Sequence, residues 1–205
     1  MSDVGKVRKK RDTSQKRELI LNGAVRVFIE TGYDISSMDR IAEVAGVSKR
    51  TVYNHFPSKE ALFHAVVTDF VRQRDERKPI EYAPDRPLTE QLIRFAEAEL
   101  FLIDDPTRRG LSKFLTSYFL NDTRRVGQFQ GQIATAHQEF TRWIEAACAD
   151  HKLRVSSPEL AASMFYGLVE GCLTYPALLS DGAVLQRRKD LLDEAIATFL
   201  SRYGI

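Results

Sequence analysis

Apolar residues recur along this chain at steps of three and four, the spacing of one helix face, and no stretch alternates long enough to write a strand. Ile20, Leu21, Ala24, Val25 and Phe28 form the first stripe, on a helix predicted from about Ser14 or Gln15 to Thr31 and ended by Gly32. Met38, Ile41, Ala42 and Ala45 form the next, with Ser36 or Ser37 as the cap and Gly46 as the stop. Val47 is placed to bury against that helix, and Ser48 caps another from about Lys49, whose inner stripe is Val47, Val52 and Phe56. After Pro57, Ser58 caps a helix carrying Leu62, Ala65, Val66, Asp69 and Phe70 toward Arg77. Further helices are predicted near 88 to 103, 106 to 119, 122 to 151, 158 to 178 and 183 to 203. The breaks between them are Asp104-Asp105-Pro106, Asn121-Asp122, Ser156-Ser157-Pro158 and Ser180-Asp181-Gly182.

The expected architecture is all-α, with about nine helices. It divides into a polar, basic arm over residues 1 to 12, a helix-turn-helix domain over 13 to 58 and a connecting helix over 59 to 78. A linker with three prolines follows over 79 to 87, then a larger helical domain over 88 to 205.

Two short helices joined by a sharp turn make sense on DNA, where the second helix enters the major groove and needs polar, basic residues on its outer side. With Val52 and Phe56 facing inward, Lys49, Arg50, Thr51, Asn54 and His55 face outward and Tyr53 lies at the margin. Arg50, Asn54 and His55 suit base edges; Ser37, Lys49, Thr51, Tyr53 and Lys59 suit phosphate. Lys59 adds a cation to the exposed first turn of its helix. A helix pair that serves only packing, with solvated polar residues outside, has the same spacing.

The string Ile41-Ala42-Glu43-Val44-Ala45-Gly46-Val47-Ser48-Lys49 is followed by Thr51-Val52-Tyr53, His55-Phe56 and Lys59-Glu60-Ala61-Leu62. With Ala24, Phe28, Gly32 and Tyr33 before it, this segment resembles the AcrR-like helix-turn-helix domain of TetR-type transcriptional regulators. The resemblance covers about the first third of the chain and is weak beyond residue 78. It implies a regulator, most often a repressor, that binds a near-palindromic operator as a homodimer and is released by a small-molecule effector. It also implies that the last two helices of each subunit form a four-helix dimer interface. Leu160, Met164, Leu168 and Cys172 on one helix, and Leu192, Ile196, Phe199 and Leu200 on the other, are the residues to form it or to be core.

Charge adds to this picture only when divided. The net charge is +2, but residues 1 to 59 carry 12 Lys/Arg against 7 Asp/Glu, leaving 18 against 21 for the rest. The excess lies where DNA would be, although solvated surface gives the same imbalance. Lys6, Arg8, Lys9, Lys10 and Arg11 read either as an arm that follows the DNA backbone or as a solubilising tail. No run approaches the roughly 20 apolar residues that span a bilayer, and the N-terminus carries no apolar run after its basic residues, so a cytoplasmic location is expected. Cys148 and Cys172 lack a paired motif and read as buried thiols. Asn121-Asp122-Thr123 has the form of a glycosylation acceptor without a secretory context.

In the larger domain, aromatic residues exceed what a minimal bundle needs. Phe114, Tyr118, His137, Phe140, Trp143, Tyr166 and Glu170 are the candidates for an effector pocket, against the reading that such aromatics are core. His55, His64, His137 and His151 are scattered, and there is no phosphate-binding glycine loop, nucleophile elbow or zinc spacing. An enzyme is therefore not expected, nor a cofactor or metal. The alternatives that remain are an architectural DNA-binding protein that ignores ligands and a helical small-molecule carrier, separable by salt dependence and sequence preference in DNA binding.

Overall fold

The computed structural model describes the backbone of residues 3–75, 79–122, 124 and 135–205, and the side chains of these except 3–12, 74, 75 and 135–137. The chain is all-α, and among the described residues the only β pairing is an isolated antiparallel bridge between Leu153 and Gly204. It divides into two compact units, Met1–Arg72 and Gln73–Ile205.

The first unit holds α1 (Asp3–Ile35), α2 (Met38–Val44), α3 (Lys49–His55) and most of α4 (Lys59–Asp75). The helical backbone of α1 begins at Asp3, through the segment expected as an arm, and is interrupted at Gly32, where φ is 79°. A positive φ there favours glycine, which is why the regular helix ends where the sequence placed its stop. Ile20, Leu21, Ala24, Val27 and Phe28 of α1 are buried, as are Ile41, Ala42, Val52, Phe56, Leu62 and Phe63, and the Phe28 and Phe63 rings meet edge-on at 5.7 Å. Val27 takes the inner position expected of Val25, which is half-buried. Gly23 lets α1 approach the end of α2: a Cβ added there would lie 2.9 Å from the Cβ of Ala45.

The second unit holds α5 (Leu88–Asp104), α6 (Pro106–Asn121), α7 (Thr135–Ala149) and α8 (Pro158–Val169). A π-turn (Glu170–Thr174), the short α9 (Tyr175–Leu179), a 3₁₀ turn (Ala183–Arg187) and α10 (Arg188–Tyr203) complete it. Asp105 caps α6 by accepting from the N–H groups of Thr107 and Arg108, and Ser157 caps α8 by accepting from Leu160 at 3.2 Å. Both helices start on proline, as the Asp105-Pro106 and Ser157-Pro158 pairs dictate. The helix expected over 158 to 178 widens at its centre, the Tyr175 N–H reaching back five residues to the Glu170 carbonyl. Pro176 has no N–H and its ring would crowd the carbonyl four residues earlier, so a wider turn relieves the strain. Of the helix expected over 122 to 151, residues 123 and 125–134 lie outside the described residues.

One apolar cluster joins α5, α7, α8 and α10 through Leu92, Phe95, Phe140, Trp143, Phe165 and Phe199. The Pro-rich run is bound to this unit. Gln91, 1% exposed, accepts from the Ala83 N–H at 2.8 Å and donates to the carbonyls of Ala83 and Arg86 at 2.9 and 3.0 Å. Tyr82 packs edge-on to Trp143 and donates to Asp150 at 2.6 Å, while Ile80 N–H donates to Glu139 and Lys152 to the Pro84 carbonyl. Residues 79 to 87 are thus a strap along the second unit rather than a free spacer.

Candidate nucleic-acid interface

The turn between α2 and α3 is built as its sequence requires. Ser37 caps α2, accepting from the Arg40 N–H at 3.2 Å, while Ser36 is buried and donates to the Tyr33 carbonyl at 2.6 Å. Gly46 has φ of 66°, Val47 N–H returns to the Ala42 carbonyl at 3.0 Å, and Ser48 caps α3 by accepting from Thr51 N–H at 3.1 Å. Val52 is wholly buried, which fixes the rotation of α3 about its axis.

That rotation turns Lys49, Arg50, Tyr53 and Asn54 outward, with Thr51 and His55 half-buried at the edges. Arg50 and Asn54 are exposed, and among the described residues neither is held by a side-chain hydrogen bond or ion pair. A fork of guanidinium donors and a side-chain amide standing next to each other on one short helix are the groups that read guanine and adenine edges. Ser37 is exposed as well, and a hydroxyl that accepts as a cap keeps a proton to donate. The Thr51 hydroxyl shares a 2.8 Å hydrogen bond with Ser48, and the His55 ring leans on Phe56 at 6.3 Å.

Two cations in this group are already engaged. Lys49 pairs with Asp39 at 2.8 Å, an exposed ion pair whose hydrogen bond raises the lysine pKa above its ordinary value. Asp39 was not singled out in the sequence; a carboxylate in the first turn of α2 facing a lysine in the first turn of α3 is the signal that could have found it. Lys59, expected at phosphate, donates to the carbonyls of Tyr33, Ser36 and Asp34 at 2.7, 2.9 and 3.3 Å. Arg17 of α1, also not anticipated, lies 5.4 Å from the Phe56 ring centre.

The candidate effector residues separate by burial. Phe140, Trp143 and Tyr166 are core: Phe140 packs on Trp143, Phe165 and Tyr166, and the Trp143 indole N–H is taken by Gln91 at 3.0 Å. Phe114 and Tyr118 are half-buried on α6 with ring centres 6.0 Å apart. Glu170 is half-buried at the start of the π-turn, and burial, then the nearby Glu99, raises its pKa above the usual carboxylate range. The His137 side chain lies outside the described residues. A surface groove of about 380 Å³ runs elsewhere, between Ile93 and Glu97 of α5 and Leu185, Arg188 and Leu192. Arg188 there pairs with Asp104 at 2.7 Å.

Of the residues expected at a dimer face, Leu160 and Met164 are 60% and 52% exposed. Leu168, Cys172 and Leu200 are half-buried, whereas Leu192, Ile196 and Phe199 belong to the subunit's own core. The exposed apolar line continues instead through Tyr175 and Leu179, at 53% and 84%. Both cysteines are free and half-buried. Among the described residues no cluster of His, Cys, Asp and Glu could hold a metal, and no helix is long and apolar enough to cross a membrane.

Residues 20–66 match the model of the bacterial regulatory proteins of the TetR family, and residues 90–205 match the C-terminal domain of AefR-like transcriptional repressors. A TetR family regulator from Pseudomonas syringae pv. tomato is 32% identical, with a TM-score of 0.75 over 93% of this chain and 98% of that one. The flavonoid-responsive regulator FrrA is 25% identical, with a TM-score of 0.67 over 93% and 98%. SrpR of Pseudomonas putida, an HTH-type transcriptional regulator, is 23% identical over 79% of this chain and 75% of its own. The match to YhgD of Bacillus subtilis, 32% identical over 38% of this chain, spans only 41% of that protein. A helix-turn-helix with an outward polar helix, matched in sequence over both units and in structure over nearly the whole chain, makes this protein a DNA-binding transcriptional regulator of the TetR family.

Proposed function

We propose that the protein is a repressor that binds a near-palindromic operator as a homodimer, reads it through α3, and is released when a small molecule binds its C-terminal unit. The observation that carries this reading is the exposed pair Arg50 and Asn54 on a helix whose rotation is fixed by Val52. Arg50, Asn54 and His55 contact bases; Ser37, Lys49, Thr51 and Tyr53 contact the backbone, Lys49 exchanging Asp39 for phosphate. A dimer supplies two such helices, which fit half-sites about 34 to 36 Å apart. Its interface uses the apolar line of α8 and α9, from Leu160 and Met164 to Tyr175 and Leu179, with the outer side of α10.

The effector reaches the part-exposed Phe114, Tyr118 and Glu170, with His137 as a further polar contact, while Phe140, Trp143 and Tyr166 form the wall behind. The repressor-type C-terminal match and the flavonoid response of FrrA support an effector-released repressor. The effector acts by binding one of two arrangements of the protein more tightly than the other. Selection of bound duplexes from a random pool tests the reading. Recovery of an inverted repeat supports it, and recovery of no preferred sequence rejects it in favour of architectural binding.

A further inference from the structure

Lys59 stands in the first turn of α4, where the positive end of the helix disfavours a cation. Its side chain leaves that end and crosses to the turn between α1 and α2. The ammonium has three protons, and three carbonyls receive them: Tyr33 at 2.7 Å, Ser36 at 2.9 Å and Asp34 at 3.3 Å. The same nitrogen lies 4.5 Å from the centre of the Tyr33 ring, and that ring leans edge-on against buried Phe63 at 5.0 Å. The carbonyls of Tyr33 and Asp34 lie just past the break at Gly32, where the regular helix of α1 ends, so the charge is held there by hydrogen bonds and by the face of the Tyr33 ring. A phosphate could take this ammonium only by leaving carbonyls of the turn without their donor.

The turn so held leads directly to the residues that face DNA. Ser36 is followed by Ser37, which caps α2; α2 carries Asp39, which meets Lys49, and Ala42, whose carbonyl receives Val47 N–H before α3. We propose that Lys59 is a positioning residue for operator recognition: it fixes the α1–α2 turn, and through it the seat of α3, without touching phosphate. The proposal rests on sequence-specific binding through α3.

The test measures binding of full-length protein to the duplex recovered by selection and to a scrambled duplex of equal length, across a range of salt. Lys59→Met keeps the length of the side chain and removes charge and donors. Expected is a tenfold or greater loss on the selected duplex, a smaller loss on the scrambled one, and a salt slope that moves by less than half of the roughly 0.9 attributed to each phosphate contact. Lys59→Arg, which keeps several donors at the carbonyls, restores most of the discrimination. A slope reduced by about 0.9 per subunit with discrimination intact makes Lys59 a phosphate ligand and overturns the proposal. So does a folded variant whose affinity and discrimination equal those of the wild type, because Lys59 would then be structural only. If Lys59→Met does not fold, Tyr33→Leu, which removes the ring beneath the ammonium, is read by the same criteria. A wild-type protein that does not discriminate between the two duplexes instead rejects the proposed function.

Discussion

Trp143 donates its indole N–H to the side-chain carbonyl of Gln91 at 3.0 Å, and the two residues are 2% and 1% exposed. The same amide holds Ala83 and Arg86, so its two acceptor sites and two donors are all used in a place water does not reach. Gln91→Leu keeps the volume but leaves the Trp143 N–H buried and unpaired and frees the strap. The expected loss is about 2 to 4 kcal/mol in urea unfolding. A loss under about 0.5 kcal/mol would show that the strap is not held by this residue.

Gly23 and Ala45 make a second prediction, of opposing effects. Gly23→Ala gains helix propensity worth up to about 1 kcal/mol, but its Cβ must enter within 2.9 Å of the Ala45 Cβ and near that residue's backbone. Overpacking of this kind costs about 1 to 3 kcal/mol, so sterics win and the melting temperature falls. Ala45→Gly in the same chain recovers part of the loss, which a double-mutant cycle reads as coupling. An increase in melting temperature for Gly23→Ala alone would contradict the packing.

How much of this was legible in the sequence follows from what each residue depends on. Ser37, Gly46, Ser48 and Val52 act through local rules of capping, turn and face, and all four do what their positions dictated. Lys59 and Gln91 act through partners 26 and 8 residues away, and no local rule reveals that an ammonium crosses to another turn or that an amide is buried. Phe140 and Trp143 were ambiguous for a further reason: aromatic residues at helical spacing suit a core and a pocket equally, and only burial separates them. The π-turn was not foreseen: one continuous helix was expected over 158 to 178, although Pro176 inside it removes an N–H from the ladder.

Tyr82 carries a pH prediction. Burial, and then its hydrogen bond to the Asp150 carboxylate, push the phenol up to about 12. The folded state therefore holds this proton more tightly than the unfolded chain, whose tyrosine titrates near 10. The contribution of Tyr82 to stability is complete below about pH 10 and is lost as pH rises toward 12. The difference in ultraviolet absorbance between wild type and Tyr82→Phe should show one phenol titrating near 12. A midpoint near 10 would mean that the phenol is solvated and the strap loose.

The exposed line Leu160, Met164, Tyr175 and Leu179 predicts a charge-sensitive dimer. Met164→Glu leaves the subunit folded, because the side chain lies outside the core, but places like charges across a twofold axis. Light scattering at micromolar concentration should find a monomer with unchanged helical circular dichroism. A dimer that persists would place the interface elsewhere.

The claim that α3 reads base edges through Arg50 and Asn54 is tested most directly by titrating the selected operator with wild type, Arg50→Ala and Asn54→Ala at one fixed salt concentration. Each substitution is expected to cost about 1 to 3 kcal/mol on the operator, roughly 5- to 150-fold in affinity, and to relax base preference at one position of each half-site. Operator affinity and base preference unchanged in both variants would contradict the account, because the sequence would then be read by residues other than Arg50 and Asn54.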